Sequence, residues 1–344
     1  MLGKIVGVGI YQSKRKKGRA FLFLEECFCP CYDKVLEEQG REVMDMERLQ
    51  YICTTEDQGL EVLTLLRREF RVSTNLLRQL KVTENGIMLD DTRVTVRHTV
   101  QPGQVLSILR EPDSGKERRV EALEGPLDIV YEDSDLMILN KPAGLAVHPS
   151  PGHYDGDTLG NRVVYHLTKT GQNPTFRAIN RLDRGTSGLM TCAKNKISAH
   201  RLEELLAQDG IRRTYHAVCE GVGLPVSGTI DLPIGRAEGF GIKRAVREDG
   251  QRAVTHYKVL KEQNNRTLLE IQLETGRTHQ IRVHFSHLGH PLCGDFMYGQ
   301  EIEGMKGCAL HSCAITLTQP TTGKQLAFTV DDPPVFFKLL EGLL

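Results

Sequence analysis

The sequence has no net charge: 44 lysines and arginines stand against 44 aspartates and glutamates. The global positive field of a strongly basic nucleic-acid binder is therefore missing, and any grip on RNA has to come from a local patch. Long apolar runs are missing too. No stretch approaches the roughly 20 residues that cross a bilayer. Met1-Leu2-Gly3-Lys4 opens neither a sustained apolar block nor a small-residue cleavage site. The expectation is a soluble, cytoplasmic protein with no membrane partner. A paired-cysteine framework is also lacking, because the nine cysteines are odd in number and unevenly spaced. That pattern fits reduced thiols in a cytosol. Cys27-Phe28-Cys29-Pro30-Cys31 is clustered, yet no second Cys/His pair follows at zinc-finger spacing, so unrelated thiols are favoured over a metal site. Gly7 and Gly9 make half of a dinucleotide fingerprint without its third glycine, which leaves no case for such a cofactor.

The residues that are present divide the chain into four segments. Residues 1–45 hold a basic block, Lys14-Arg15-Lys16-Lys17-Gly18-Arg19, and an apolar burst, Phe21-Leu22-Phe23-Leu24, without sustained periodicity. They read as a poorly structured arm or a mispredicted extension, with Met44 or Met46 as the natural start. Residues 46–112 read as a compact unit. Leu60, Leu63, Thr64, Leu66 and Phe70 form a helical stripe, Ser73-Thr74-Asn75 offers a cap to a second helix, and Asn85-Gly86 turns into short strands ending at 105–109. Residues 113–126 are charged and turn-rich, as a linker is. Residues 127–344 form the large domain. Strands are expected at 128–131, 136–139, 188–193, 214–220, 254–260 and 267–273, and helices at 196–208 and 278–288. Sequential strands on short turns imply an α+β fold, a mostly antiparallel mixed sheet with flanking helices packed on it.

From 61 to 110, eight cations oppose five anions. Charge alone favours a solvated helix face. The arrangement nevertheless resembles the S4 RNA-binding module, and that resemblance implies that Arg67, Arg68, Arg71, Arg78 and Lys81 meet RNA phosphates.

The chemistry concentrates in Asn180-Arg181-Leu182-Asp183-Arg184-Gly185-Thr186-Ser187-Gly188, a carboxylate between two arginines just before an apolar strand. Neighbouring guanidiniums favour the ionised form, and burial strips its solvation, which makes a better nucleophile. Taken alone, Asp183 fits a structural ion pair with Arg181 or Arg184 better than a catalytic role. Two further stretches shift the balance: Arg213-Thr214-Tyr215-His216-Ala217, and Gly276-Arg277-Thr278-His279-Gln280-Ile281-Arg282. With Asn140-Lys141-Pro142-Ala143-Gly144, Val147-His148-Pro149, Gly289-His290-Pro291 and Gly294-Asp295, these motifs fall in the order of the RluA family of pseudouridine synthases, which the chain resembles across about 128 to 344.

The resemblance implies isomerisation of uridine to pseudouridine in structured RNA, ribosomal RNA first and transfer RNA second. It implies that Asp183 is the nucleophile, that Tyr215 lies against the target base and that Arg277 pairs with Asp183. Ile281 would line the pocket and Arg181 would enter the RNA stack, with Arg184 and Thr186 joining them in substrate binding. Asn180 replaces the histidine of many members, and Gly185 an acidic or amide residue, so the RNA contacts differ there. Substrate and product are isomers, so no cofactor and no metal are expected, and a monomer is the default. Attack on the sugar, addition to the base at C6 and elimination to a glycal all remain open as routes. His279, His284, His287 and His290 lack the register of a helical zinc site and read as structural or RNA-facing. A glycosidase-like hydrolase would need a second carboxylate in the loop. A non-catalytic ribosome-assembly factor is the alternative that keeps the fold.

Overall fold

The computed structural model describes residues 48–111, 120–149, 156–239 and 241–344. The expectations for residues 1–45, including Cys27, Cys29, Cys31 and the start at Met44 or Met46, lie outside the described residues.

Residues 48–111 build a four-stranded antiparallel sheet under two helices. The strands are β1 (Arg48–Ile52), β2 (Ile87–Leu89), β3 (Thr92–Arg93) and β4 (Val105–Leu109), in the order β1-β4-β2-β3. The helices are α1 (Val62–Arg68) and α2 (Thr74–Val82). Ser73 caps α2 as expected, its Oγ accepting from the Leu76 N–H at 3.2 Å. Leu65, Leu66, Phe70, Leu77, Leu80 and Ile108 close the core.

That core is completed from outside. Ile197, on α4 of the large domain (Lys196–Ala207), is buried among the same side chains. Next to it, the Arg201 guanidinium is buried and donates to the Phe70 and Glu69 carbonyls at 3.3 and 3.2 Å, and to the Pro320 carbonyl at 2.9 Å. These first two carbonyls follow the end of α1, where unpaired backbone acceptors need a donor. Arg110 meets Asp135 at 2.9 Å, both almost fully buried. Burial pushes the Asp135 carboxyl up, but bonds from Ser198, the Arg110 charge, Gln319 and Asn195 outweigh it and hold it below the ordinary carboxylate range.

The large domain is one ten-stranded mixed sheet. Its path runs β10 (Ser227–Asp231), β13 (Val254–Gln263), β14 (Arg266–Leu273), β9 (Ile211–Glu220), β15 (Leu310–Thr318), β8 (Ser187–Ala193), β6 (Leu136–Lys141) and β5 (Ile129–Glu132). β16 (Gln325–Thr329) flanks β15, and β7 (Arg177–Ala178) flanks β8. Among the named strand pairings, all are antiparallel except β15 with β8. A separate hairpin joins β11 (Ile234–Arg236) to β12 (Arg244–Val246). The β13–β14 turn uses Asn264 and Asn265, both at positive φ, the conformation that a tight hairpin turn asks of its central residues.

Helices α3 (Leu159–Lys169), α5 (Gln280–His287) and α6 (Pro334–Leu340) complete the domain. Neither α3 nor α6 follows from the sequence pattern alone. The six described cysteines are buried without disulfides. No helix among the described residues is long and apolar enough to cross a membrane.

The C-terminal helix is pinned by an ion pair. His216 on β9 meets Asp332 at 2.8 Å just before α6, whose Phe336 and Leu339 pack on Val218 and Ala309. The Asp332 bond is the main reason that the imidazole pKa rises from 6.5 to about 10. The folded chain thus holds this proton more tightly than the unfolded chain. The resulting stabilisation is complete below about pH 6.5 and disappears as pH rises through about 10. Urea midpoints of wild type and Asp332→Asn are expected to differ most at pH 6 and to converge by about pH 10.

Candidate active site

The cleft lies where the antiparallel pattern breaks. Asp183 sits in the turn leading into β8, the strand that runs parallel to β15, and Tyr215 comes from β9 on the other side of β15. Gly188 makes this junction possible: its φ is +108°, and a Cβ there would come within 2.3 Å of the Ser312 carbonyl oxygen. α5 supplies the opposite wall. Asp183, Tyr215, Arg181, Thr186, Arg277, His279, Ile281 and Arg282 all line one cleft of about 410 Å³.

The Asp183 loop is stapled from below. The Gly144 N–H donates to the Arg184 carbonyl at 2.8 Å, and the Arg184 Nε returns a bond to the Gly144 carbonyl at 3.0 Å. Lys141, fully buried, donates to the carbonyls of Pro142, Leu145 and Arg184. Burial pushes its pKa down to about 8, against the opposing charge of Asp183. Arg184, expected in substrate binding, is not among the cleft residues, because this bond commits it to holding the loop.

The expected pairing of Arg277 with Asp183 is corrected. Arg277 is exposed at the rim, and its Nε donates to the Arg252 carbonyl at 3.0 Å. Arg282 takes the place beside the carboxylate, its terminal nitrogen 3.1 Å from Asp183 Oδ2. The reason is helical phase. α5 begins at Gln280, so Arg277 belongs to the preceding turn, whereas Arg282 is on the buried face. Gln280 fixes that start by accepting from Thr275 Oγ1 and the Arg277 N–H, and by donating to the Val254 carbonyl.

Arg282 bridges two carboxylates. Its other edge makes a bidentate pair with Asp295, Nε and the second terminal nitrogen each 2.7 Å from an oxygen. Asp295 is fully buried and also accepts the Met297 and Tyr298 N–H groups. The guanidinium is thereby held in one orientation and stays charged. Asp183 is a quarter exposed, and its Oδ1 has no partner among the described residues. An oriented carboxylate with one uncommitted oxygen in a cleft is what a nucleophile requires.

Tyr215 is almost fully buried, and that burial raises its phenol above the ordinary range, with the Arg213 charge opposing. It therefore meets a ligand as a neutral aromatic surface suited to stacking, not as a ready base. Arg181 is exposed at the mouth, and Ile281 is buried in the wall. His279 adopts φ +60°, a left-handed conformation that costs a non-glycine residue about 1–2 kcal/mol. His284 is structural, bonded to Thr255 Oγ1 and the Leu232 carbonyl, and His290 bonds the Glu220 carbonyl. Among the described residues, no three His, Cys, Asp or Glu side chains gather as a potential metal site. Asp295 stands in the Gly294-Asp295 motif, which carries no role by itself, and nothing in the residue pattern marks Tyr298. The one signal in the sequence is that a buried arginine demands a carboxylate close by.

In the small unit, Arg67, Arg71, Arg78 and Lys81 are exposed. Arg68 is paired with the buried Asp57 and with Glu69, which neutralise it. It is thus the weakest of the five expected phosphate contacts.

The profile of the RNA pseudouridylate synthases matches residues 135–287. The chain is 38% identical over 275 residues to the uncharacterized RNA pseudouridine synthase YjbO of Bacillus subtilis (strain 168), covering 80% of this chain and 96% of that one. It is 37% identical over 261 residues to ribosomal large subunit pseudouridine synthase D of Haemophilus influenzae, covering 72% and 79% respectively. Among solved structures, human RNA pseudouridylate synthase domain containing 1 aligns with a TM-score of 0.52 at 27% identity, over 63% of this chain and 87% of that one. Fold, cleft and relatives together define an isomerase that converts uridine to pseudouridine in RNA. Within that class, the chain belongs to the RluA family of pseudouridine synthases.

Proposed function

We propose that this synthase modifies specific uridines of ribosomal RNA in the cytoplasm, as a monomer, with Asp183 as the attacking carboxylate. The observation that carries the reading is the Asp183–Arg282 contact of 3.1 Å inside a cleft shared with Tyr215. A cleft of about 410 Å³ is within the range of single-ligand sites, about 300–1,000 Å³, and so suits one extruded nucleotide. Extrusion costs a few kcal/mol, offset by stacking on Tyr215 and by Arg181 filling the vacated space with its planar guanidinium. Arg282 holds Asp183 in position for attack through the 3.1 Å contact, and Arg277, exposed on the rim, is free of the carboxylate and available to RNA. Isomerisation balances without a redox carrier, metal or phosphate donor. The test is RNA from a strain lacking this gene, incubated with the enzyme and mapped by carbodiimide-dependent reverse-transcription stops. New stops at defined ribosomal positions support the reading, whereas stops confined to transfer RNA would move the substrate.

Residues 48–111 serve in this reading as an S4-like grip on RNA. Arg78→Ala with Lys81→Ala is expected to weaken RNA binding and to reduce the slope of log affinity against log salt by about 1.5. Fluorescence anisotropy across a salt series measures both effects.

A further inference from the structure

We infer that Tyr298 is a positioning residue: its hydroxyl locks His279 in the form protonated at Nε2, so that Asp183 is faced by a neutral donor as well as by Arg282. The inference rests on the reading of Asp183 as the attacking carboxylate.

Tyr298 is held from several sides. Its N–H is accepted by Asp295, its carbonyl accepts from Ser286 Oγ on α5 at 2.9 Å, and its ring centroid lies 5.0 Å from the Arg282 guanidinium carbon. The hydroxyl then has two neighbours. The Arg244 backbone N–H lies 2.9 Å away and, being an amide, can only donate. His279 Nδ1 lies 2.8 Å away. With one contact fixed as incoming, the phenol's own proton goes to Nδ1, which must then be bare. The opposite arrangement would aim two donors at one phenol oxygen and leave its O–H without an acceptor among the described residues.

A neutral imidazole that accepts at Nδ1 carries its hydrogen at Nε2. Nε2 is 3.8 Å from Asp183 Oδ2, the same oxygen that Arg282 holds. Burial lowers the His279 pKa, and the charges of Arg282 and Arg244 add to that against Asp183 and Asp295, so the ring stays neutral. Chemistry favours this choice: a second cation at Oδ2 would quench the nucleophile, whereas a neutral N–H 3.8 Å away, beyond hydrogen-bond length, leaves Arg282 as the direct donor to that oxygen and can close on the carboxylate during reaction. The left-handed backbone of His279 fits a residue kept in place by what its ring contacts.

The decisive measurement is nitrogen NMR of the full chain labelled with 15N-histidine, the His279 signals being those absent from His279→Gln. We expect a bare Nδ1 and a protonated Nε2 in the wild type, and a mixture of tautomers in Tyr298→Phe, which keeps the ring on Arg282. Turnover is read as tritium released from RNA carrying tritium at uridine C5, prepared from a strain lacking this gene. Tyr298→Phe is expected to lower kcat roughly tenfold with KM within about twofold, the size of one lost oriented bond. His279→Gln, whose side-chain amide can donate near the Nε2 position, is expected to retain more activity than His279→Ala. A wild type protonated at Nδ1, or a Tyr298→Phe enzyme unchanged in spectrum and rate, would overturn the inference. A wild type without tritium release but with the Nε2–H spectrum would sink the proposed function and leave the tautomer lock standing.

Discussion

Asp183→Asn is expected to abolish pseudouridine formation, by about 10⁴-fold or more, while RNA binding stays close to wild type. The substitution is isosteric and removes only the charge and one carboxylate oxygen, the proposed nucleophile. The loop should keep its place, because Lys141, Gly144 and Arg184 hold it through backbone groups that the change does not touch. Arg282 keeps its bidentate pair with Asp295 and can still donate to the amide oxygen. The urea midpoint should therefore shift by no more than about 1 kcal/mol of stability allows. Tritium release measures the first effect and filter binding the second. A variant that still converts uridine at a tenth of the wild-type rate would remove Asp183 from the bond chemistry.

Arg282→Met carries the largest expected loss of stability. It strands Asp295, a fully buried carboxylate, without its cation. Breaking such a pair from one side costs about 3–5 kcal/mol. Activity should vanish with it, because Asp183 loses its charged partner. Arg282→Met combined with Asp295→Asn is expected to recover more than half of the lost stability in urea unfolding. The asparagine oxygen can still accept the Met297 and Tyr298 N–H groups without a buried charge to solvate. Activity should not return. Arg277→Ala, on the exposed rim, is the matched control and should unfold within about 0.5 kcal/mol of wild type.

The contrast between these arginines shows what the sequence could and could not reveal. Both stand in the same short motif, and the glycine before Arg277 suggested that the helix opened at 278. It opens at Gln280. At about 100° per residue, a shift of two positions turns the helix by more than half a circle and changes which arginine faces inward. Local chemistry was readable elsewhere: the Ser73 cap, the Asn264-Asn265 turn and the apolar strand after Asp183 each depend on near neighbours. Insertion of β15 between β9 and β8 does not, since it joins residues about a hundred apart, as Tyr215 and Ser312 are. Helix α3 does not stand out in the sequence although Thr158 caps it through the Asn161 N–H, because its buried face mixes Gly160 and Asn161 with valine and leucine. Asp295 meets Arg282 only because the turn after α5 folds back on the helix.

The Arg201 contact also bears on how a uridine is chosen. A small unit joined to the synthase by a slack tether could swing, and its cations would add affinity without dictating reach. Here a guanidinium clamps the end of its first helix, and Ile197 plugs its core. In the proposed reading, the gap between the phosphate grip and Asp183 works as a ruler whose length is set by docking. Extra residues inserted between 112 and 119 should leave the selected uridine unchanged, while loosening Arg201 should blur it.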